Sequence, residues 1–483
     1  MSTPKDIFNP RSIVIAGASD DPNNPGRIFF NVLLGYSFPG PIYVVNPRGG
    51  EVLGRKVYTS IKDIPGPVDY VITSIPAPYT IAFMRECAEK RVKVVQLFTA
   101  GFGEMHEEGA RLQAELVKTA APGGVRVLGP NCMGLYCPKT RLAFAFDLPE
   151  ETGNAAFLSQ SGGHTFQFVK MASARGIRFS KVVSYGNAAD LNETDFLEYF
   201  GQDPDTSIIA AYIEGVRDGQ RFLRVLKETA RAKPTIIVKG GQTAAGNRTI
   251  ASHTGSLMGN KAIWDAIFKQ TQAIYADSLE EAIDIMLILE FFPDIRGRNV
   301  GIIGAGGGAS VEAADECEKG GLQLPAFSEE RQAQLKKFIL FSSAAGSIYI
   351  NPVDSPLAVF SGEKVSQILD VMATFSELDL LLGFVGVQAN VLGADTRNVL
   401  TSISKAMIDF GKSSPKPTFV VTHHTVNEFF HDIELEIRNY GFANRVPVYP
   451  SVYRAARGIS RVIEHNERKA ALSNVASGKW RYY

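Results

Sequence analysis

Cysteine is scarce in this 483-residue chain: there are four, at positions 87, 132, 137 and 317, with no metal-ligand spacing among them. That excludes a disulfide-built scaffold, and the expectation is a reduced, cytoplasmic protein without a metal site. Net charge is lacking too, since fifty basic side chains stand against fifty acidic ones. A balance of that kind speaks against a surface dedicated to nucleic acid or to an anionic membrane. No apolar run approaches the length of a bilayer span, and the first residues show no charged-then-apolar leader. The dinucleotide fingerprint G-x-G-x-x-G is missing from the first turn, which reads GASDDPNNPG. After the second apolar run stands Asn46-Pro47-Arg48, a cation suited to phosphate where a ribose would ask for an acid. A nicotinamide cofactor is therefore disfavoured.

What is present is a repeated unit of strand, small-residue turn and helix. Ile13–Ala16 runs into Gly17-Ala18-Ser19, and Ile42–Val45 into Asn46-Pro47-Arg48. Tyr70–Thr73 precedes Ser74-Ile75-Pro76, Val94–Phe98 precedes Thr99-Ala100, and Arg126–Leu128 precedes the 129–134 loop with Asn131 and Met133. Such runs predict a doubly wound parallel sheet, whose ligands bind outside the carboxyl ends of the strands. Pro149 to Asn154 resemble a linker, after which Ala155–Leu158 enters Ser159-Gln160-Ser161-Gly162-Gly163 and a helix expected over Thr165–Arg175. An acidic-started helix is expected over Asp190–Phe200, and a buried strand, Ile208–Ile213, ends at Glu214. Arg296-Gly297-Arg298 marks a further boundary before Val300–Ile303 and the turn Gly304 to Ser310, with Gly306, Gly307 and Gly308. Gly-rich turns that open helices are anion cradles by backbone N–H groups and dipole.

Between Thr235–Val238 and a helix starting near Lys261 lie about twenty small residues and one histidine, His253, a length of loop uncommon without a function. Its imidazole can serve as base, ligand or phosphoryl acceptor, or it can be incidental to a surface turn. Glu214 is placed to bond across the loops, or is a solvated edge carboxylate.

Taken in order, the stretches GAS, NPRGGEVLG, SIPAP, TAGFGE, GPNCMG, LSQSGG, SYGNAADLNETDFLEYF, DPDTSIIAAYIEG, ASHTGS and NPVD resemble the α subunit of ADP-forming (NDP-forming) acyl-CoA synthetases, relatives of succinyl-CoA synthetase, over roughly residues 8–465. The resemblance implies an α/β fold with parallel sheets: a Rossmann-like CoA-binding domain (1–148) and two flavodoxin-like ligase domains (149–295 and 296–483). It implies that His253 is phosphorylated in turnover, with Glu214 orienting and charge-balancing its ring. Ser161-Gly162-Gly163 and Gly306-Gly307-Gly308 would hold the phosphoryl group. Coenzyme A would lie along Gly17, Ser19, Arg48, Ser74, Ile75, Pro76, Thr99, Ala100, Asn131 and Met133. ATP or ADP with Mg would bind mainly to a separate ATP-grasp β subunit in a hetero-oligomer, and the remaining substrate would be a small carboxylic acid. A non-catalytic CoA-binding protein of the same fold is the alternative. The chain departs from the family at Gly163-His164, where a small apolar residue usually follows Ser-Gly. It departs again at Thr422-His423-His424-Thr425, where a Gly-containing loop is common. His164 is either a substrate-side group or a cap residue, the His423-His424 pair is expected to be a polar loop, and Cys132 is expected to pack.

Overall fold

A computed structural model of the chain describes residues 4–246, 248, 261–304, 306–337, 349–354, 361–385, 396–422 and 428–476. The chain divides into two compact units, Met1–Leu279 and Glu280–Tyr483. Among the described residues, no helix is long and apolar enough to cross a membrane.

The first unit holds two sheets. One comprises β1 (Ile13–Ala16), β2 (Ile42–Val45), β3 (Glu51–Val52), β4 (Arg55–Tyr58), β5 (Tyr70–Thr73), β6 (Val94–Leu97) and β7 (Arg126–Leu128), in the order β3-β4-β2-β1-β5-β6-β7. Its central strands are parallel, with Ile13 opposite both Ile42 and Tyr70. All four residues of β1, β5 and β6 are buried, as expected when helices cover both faces of a parallel sheet. The antiparallel β3–β4 edge was not foreseen. It is closed by Leu53 and Gly54, both at positive φ (51° and 70°), the geometry that a two-residue hairpin requires.

The other sheet runs β13-β12-β11-β9-β10-β8, built from β8 (Gly134–Tyr136), β9 (Ala155–Ser159), β10 (Phe179–Ser184), β11 (Ile208–Ile213), β12 (Thr235–Lys239) and β13 (Ile274–Ala276). Only β8 is antiparallel, against β10. It leaves the loop that follows β7, so the second sheet takes its edge from the chain before Pro149.

Three helices position the site. Helix α1 (Pro25–Gly35) has Pro25 at its first position and Asn24 as its cap. Helix α2 (Gly162–Ala174) starts three residues earlier than expected because the Ser161 side chain caps it. Helix α3 (Glu193–Gln202) starts later than expected, since Asn192 and Asp195 form a capping box. Asp190 is engaged instead by the Arg126 guanidinium at 2.8 and 2.9 Å.

The second unit carries a five-stranded parallel sheet ordered β15-β14-β16-β17-β18: β14 (Val300–Gly304), β15 (Val353–Asp354), β16 (Leu380–Val385), β17 (Thr418–Thr422) and β18 (Val448–Tyr449). Ile303, Leu369, Leu381, Met407 and Val420 share its core. Each such side chain contributes about 1.5–3 kcal/mol when fully buried. A long helix, Val452–Ala476, is the last described element of the chain.

Candidate active site

The carboxyl ends of β1, β5, β6 and β7 form a continuous edge, and most residues expected to hold CoA meet along it. Gly17 takes a φ of 91°, and a Cβ there would stand 3.1 Å from Ser74 Oγ, so glycine lets the first two turns close on each other. The Thr99 hydroxyl donates to the Ile75 carbonyl at 2.7 Å, and the Asn131 N–H donates to the Thr99 carbonyl at 3.1 Å. Ser19 donates its N–H to Asn24 Oδ1 at 3.3 Å. Asn46 anchors the neighbouring loop by donating to the Ala18 carbonyl (2.9 Å) and accepting from the N–H of Arg48 (3.0 Å), whose side chain is exposed. Pro76 and Ala100 continue two of these loops without a bond to the others. Gly26 carries no sequence signal of its own, yet a Cβ there would lie 2.8 Å from Ala18 Cα. It gives the close helix–turn packing that the last glycine of a dinucleotide fingerprint gives, at a spacing no regular motif would find.

The turn expected to hold phosphate follows β9. The Ser159 hydroxyl donates to the Ser161 carbonyl (2.9 Å) and accepts from the Ser161 N–H (3.1 Å), fixing the bend. Ser161 Oγ accepts from the His164 N–H at 3.3 Å, while the first-turn N–H groups of Gly162 and Gly163 have no partner within the helix. A Cβ on Gly162 would come 2.9 Å from Met133 Cγ. Met133, expected on the CoA side, and Gly162, expected on the phosphate side, therefore lie against each other.

Glu214 sits beside this turn. Gln160 Oε1 accepts from the N–H groups of Glu214 (2.5 Å) and Gly215 (2.9 Å). The Glu214 side chain is 8% exposed, and its Oε2 is buried without a hydrogen-bond partner. Leaving such an oxygen unpaired costs about 1–3 kcal/mol or more for a charged group, so the geometry calls for a donor. Burial and the Glu214 charge push the Tyr212 phenol well up. Lys239 donates to the Glu214 carbonyl at 2.8 Å, and its ammonium is held below the ordinary lysine range by burial, against the pull of the Glu214 charge. A Cβ on Gly240 would lie 2.6 Å from Tyr212 Oη, so the chain leaving β12 passes directly over this corner.

His164 is not the cap; Ser161 is. Its ring packs edge-to-face on Tyr212 with centroids 4.4 Å apart, and its Nδ1 is buried without a partner. Cys132 is buried and its thiol is pushed well up by desolvation, which leaves it a packing residue. No group of histidine, cysteine and carboxylates among the described residues is arranged to hold a metal.

In the second unit, Gly306 (φ 97°) precedes helix α4 (Gly307–Lys319) without a side-chain cap. Its N–H donates to Asp354 Oδ1 at 2.9 Å. Asp354 ends the NPVD stretch and is 2% exposed. A Cβ on Gly307 would stand 3.7 Å from Asp354 Oδ2, whereas one on Gly308 meets open space. His253 and the His423-His424 pair lie outside the described residues.

Residues 11–138 match the model of a CoA binding domain, and residues 152–289 match that of a succinyl-CoA ligase-like flavodoxin domain. The α subunit of acetate–CoA ligase [ADP-forming] II of Pyrococcus furiosus is 39% identical over 376 residues, covering 78% of this chain and 81% of that protein. The α subunit of ligase I of the same organism is 35% identical over 469 residues, 96% and 98% of the two chains. The dinucleotide-forming acetyl-coenzyme A synthetase 1 of Ca. Korarchaeum cryptofilum, solved with phosphate and ADP, superposes with a TM-score of 0.81 at 29% identity over 98% of this chain and 99% of that one. The chain thus belongs to the ADP-forming acid–CoA ligase family and corresponds to its α subunits.

Proposed function

We propose that this chain, as the α subunit of an acid–CoA ligase, interconverts carboxylate, CoA and ATP with acyl-CoA, ADP and phosphate, and that the phosphoryl group travels on His253. In the acyl-CoA-consuming direction, a phosphate oxygen attacks the thioester carbonyl, the C–S bond breaks and CoA leaves as its thiolate. An imidazole nitrogen of His253 then attacks the phosphorus of the acyl phosphate and releases the carboxylate. Transfer from phosphohistidine to ADP completes ATP.

The observation that carries this reading is the buried, unpartnered Oε2 of Glu214 beside the Ser161-Gly162-Gly163 turn. In this reading Glu214 is the carboxylate that orients the His253 imidazole and balances the imidazolium charge. The Ser161-Gly162-Gly163 turn holds the phosphoryl group, with the N–H groups of Gly162 and Gly163 turned to its oxygens without a full positive charge. Gly306, Gly307 and Gly308 form a second cradle in the reading. CoA lies along Gly17, Ser19, Arg48, Ser74, Ile75, Pro76, Thr99, Ala100, Asn131 and Met133. The placement of Met133 against Gly162 supports delivery of the thiol end beside the phosphate turn. The domains are 1–148, 149–295 and 296–483. Nucleotide and Mg are assigned mainly to an ATP-grasp β subunit in a cytoplasmic hetero-oligomer; that relatives are named as α subunits supports a partner subunit. A non-catalytic role is not favoured, because relatives matched over most of their length are ligases.

The test is turnover by the chain co-purified with its partner. Small carboxylic acids, CoA and ATP should yield acyl-CoA and ADP in equal amounts. Formation of AMP and pyrophosphate, or none of these products with any acid, would defeat the reading.

A further inference from the structure

Asn187, in the stretch between β10 and α3, uses every polar group it has, and its partners lie on both sides of the site. Its backbone N–H donates to the Pro130 carbonyl at 3.0 Å, in the loop that carries Asn131. Its side-chain Nδ2 donates to Glu104 Oε2 and to Gln113 Oε1 (3.0 Å), and its Oδ1 lies 3.5 Å from Asn131 Nδ2. Its carbonyl accepts from Arg217 Nη2 at 3.0 Å, three residues beyond Glu214. The residue is 9% exposed. Gly186 lets it approach: φ is 55° there, and a Cβ would stand 2.2 Å from the Pro130 oxygen.

Glu104 is the pivot on the CoA side. Its Oε1 accepts from the N–H groups of Gly101 (2.6 Å) and Phe102 (3.1 Å), which sets the conformation of the loop after Thr99 and Ala100. Burial pushes this carboxyl up, but the bonds from Asn187 and the loop N–H groups outweigh that and hold it below the usual glutamate range. The carboxylate is therefore the form built into the clamp. Glu104 and Arg217 are the ionisable groups bonded to Asn187.

We propose that Asn187 is a positioning residue that locks the CoA loop at 99–104 to the loop bearing Glu214, so that thiol and phosphoryl chemistry stay in register; its link to catalysis rests on the function proposed above. The clamp depends on a neutral donor facing a carboxylate. Asn187→Asp sets two carboxylates against each other, and such a pair does not ionise fully. The variant should then bind CoA poorly at high pH and recover as pH falls. Adding Glu104→Gln reverses donor and acceptor: the new amide keeps accepting from Gly101 and Phe102 while its NH2 donates to the carboxylate introduced at position 187.

The experiment is calorimetric titration of the full-length chain with coenzyme A at pH 8 and pH 6. Asn187→Asp should raise Kd about tenfold at pH 8 and clearly less at pH 6, the loss expected of one charge-assisted bond. The double variant Glu104→Gln/Asn187→Asp should lie within about threefold of wild type at both pH values, in the manner of a complemented pair. In the complete enzyme the single variant should raise KM for CoA and leave KM for the acid unchanged. Wild-type affinity in the single variant at pH 8, a deficit equal at both pH values, or a double variant no better than Asn187→Asp alone would overturn the proposal. Should Asn187→Asp not fold, the double variant decides by the same criterion. Absence of ligase turnover in wild type would defeat the function above while leaving these affinities to judge the clamp.

Discussion

The strand–turn–helix units around α2 and α4 look alike in sequence, yet different groups stand at their helix N-termini. Before α2 the cap is a serine hydroxyl, and the nearby carboxylate, Glu214, has an oxygen with no partner. Before α4 there is no side-chain cap, and a buried carboxylate, Asp354, already accepts from Gly306. A helix N-terminus holds about half a positive charge. At α2 that charge is open to an incoming anion; at α4 a resident carboxylate shares it. Glycine-rich turns therefore do not make equivalent cradles, and the side chains facing them decide which is free.

The largest effect that sharpens this contrast belongs to Glu214. Glu214→Gln keeps the shape but removes the charge waiting beside the first turn. Phosphoryl transfer should fall about 10²–10³-fold, the range for losing one preorganised electrostatic contact, with CoA affinity unchanged. Full turnover in the variant, measured with the partner subunit, would remove Glu214 from the mechanism.

Buried carboxylates give the next test. Glu193 on α3 is 2% exposed, and desolvation pushes its carboxyl up to about 7. A folded-state pKa above the unfolded value means the native state holds the extra proton, so stability declines as pH rises from about 4.5 through about 7. Glu193→Gln should therefore stabilise the chain at pH 8, by up to about 3 kcal/mol, and hardly at pH 5. Equal melting shifts at the two pH values would contradict that sign. Asp354, also buried, accepts from the Gly306 N–H at a helix start. Asp354→Asn should cost about 1–2 kcal/mol of stability, read as a lowered Tm.

The smallest effect separates the glycines themselves. Gly308→Ala adds a methyl into open space within a helix and should stabilise by about 0.5–1 kcal/mol. Gly162→Ala must displace Met133 and should weaken CoA binding several-fold. Equal behaviour of the two substitutions would erase the distinction between the turns.

The sequence made the parallel strands legible because fully buried strands read as unbroken apolar runs, as in Ile13–Ala16 and Ile208–Ile213. The antiparallel edges escaped it. Residues 51–58 form strands of two and four residues, too short to carry a period, and β8 is three residues that begin on the last glycine of the 129–134 loop. Helix starts moved where caps won: Ser161 and Asn192 fixed them, while Asp190 was drawn to Arg126. Individual strand-end residues such as Glu214 could be picked out because a carboxylate ending an apolar strand stands out. Gly26, Gln160, Glu104 and Asn187 could not, since each matters through a partner distant in sequence. Asn187 and Glu104 are 83 residues apart, and no local pattern announces such a bond.

The central proposal is that His253 carries the phosphoryl group. The most direct measurement is to incubate the complete enzyme with acyl-CoA and radiolabelled phosphate, then map the label by acid and base stability and by peptide mass spectrometry. The account predicts an acid-labile, base-stable phosphoryl group on the peptide containing His253, absent from His253→Gln. Turnover at wild-type rate in His253→Gln, or a label on any other residue of this chain in its place, would contradict it.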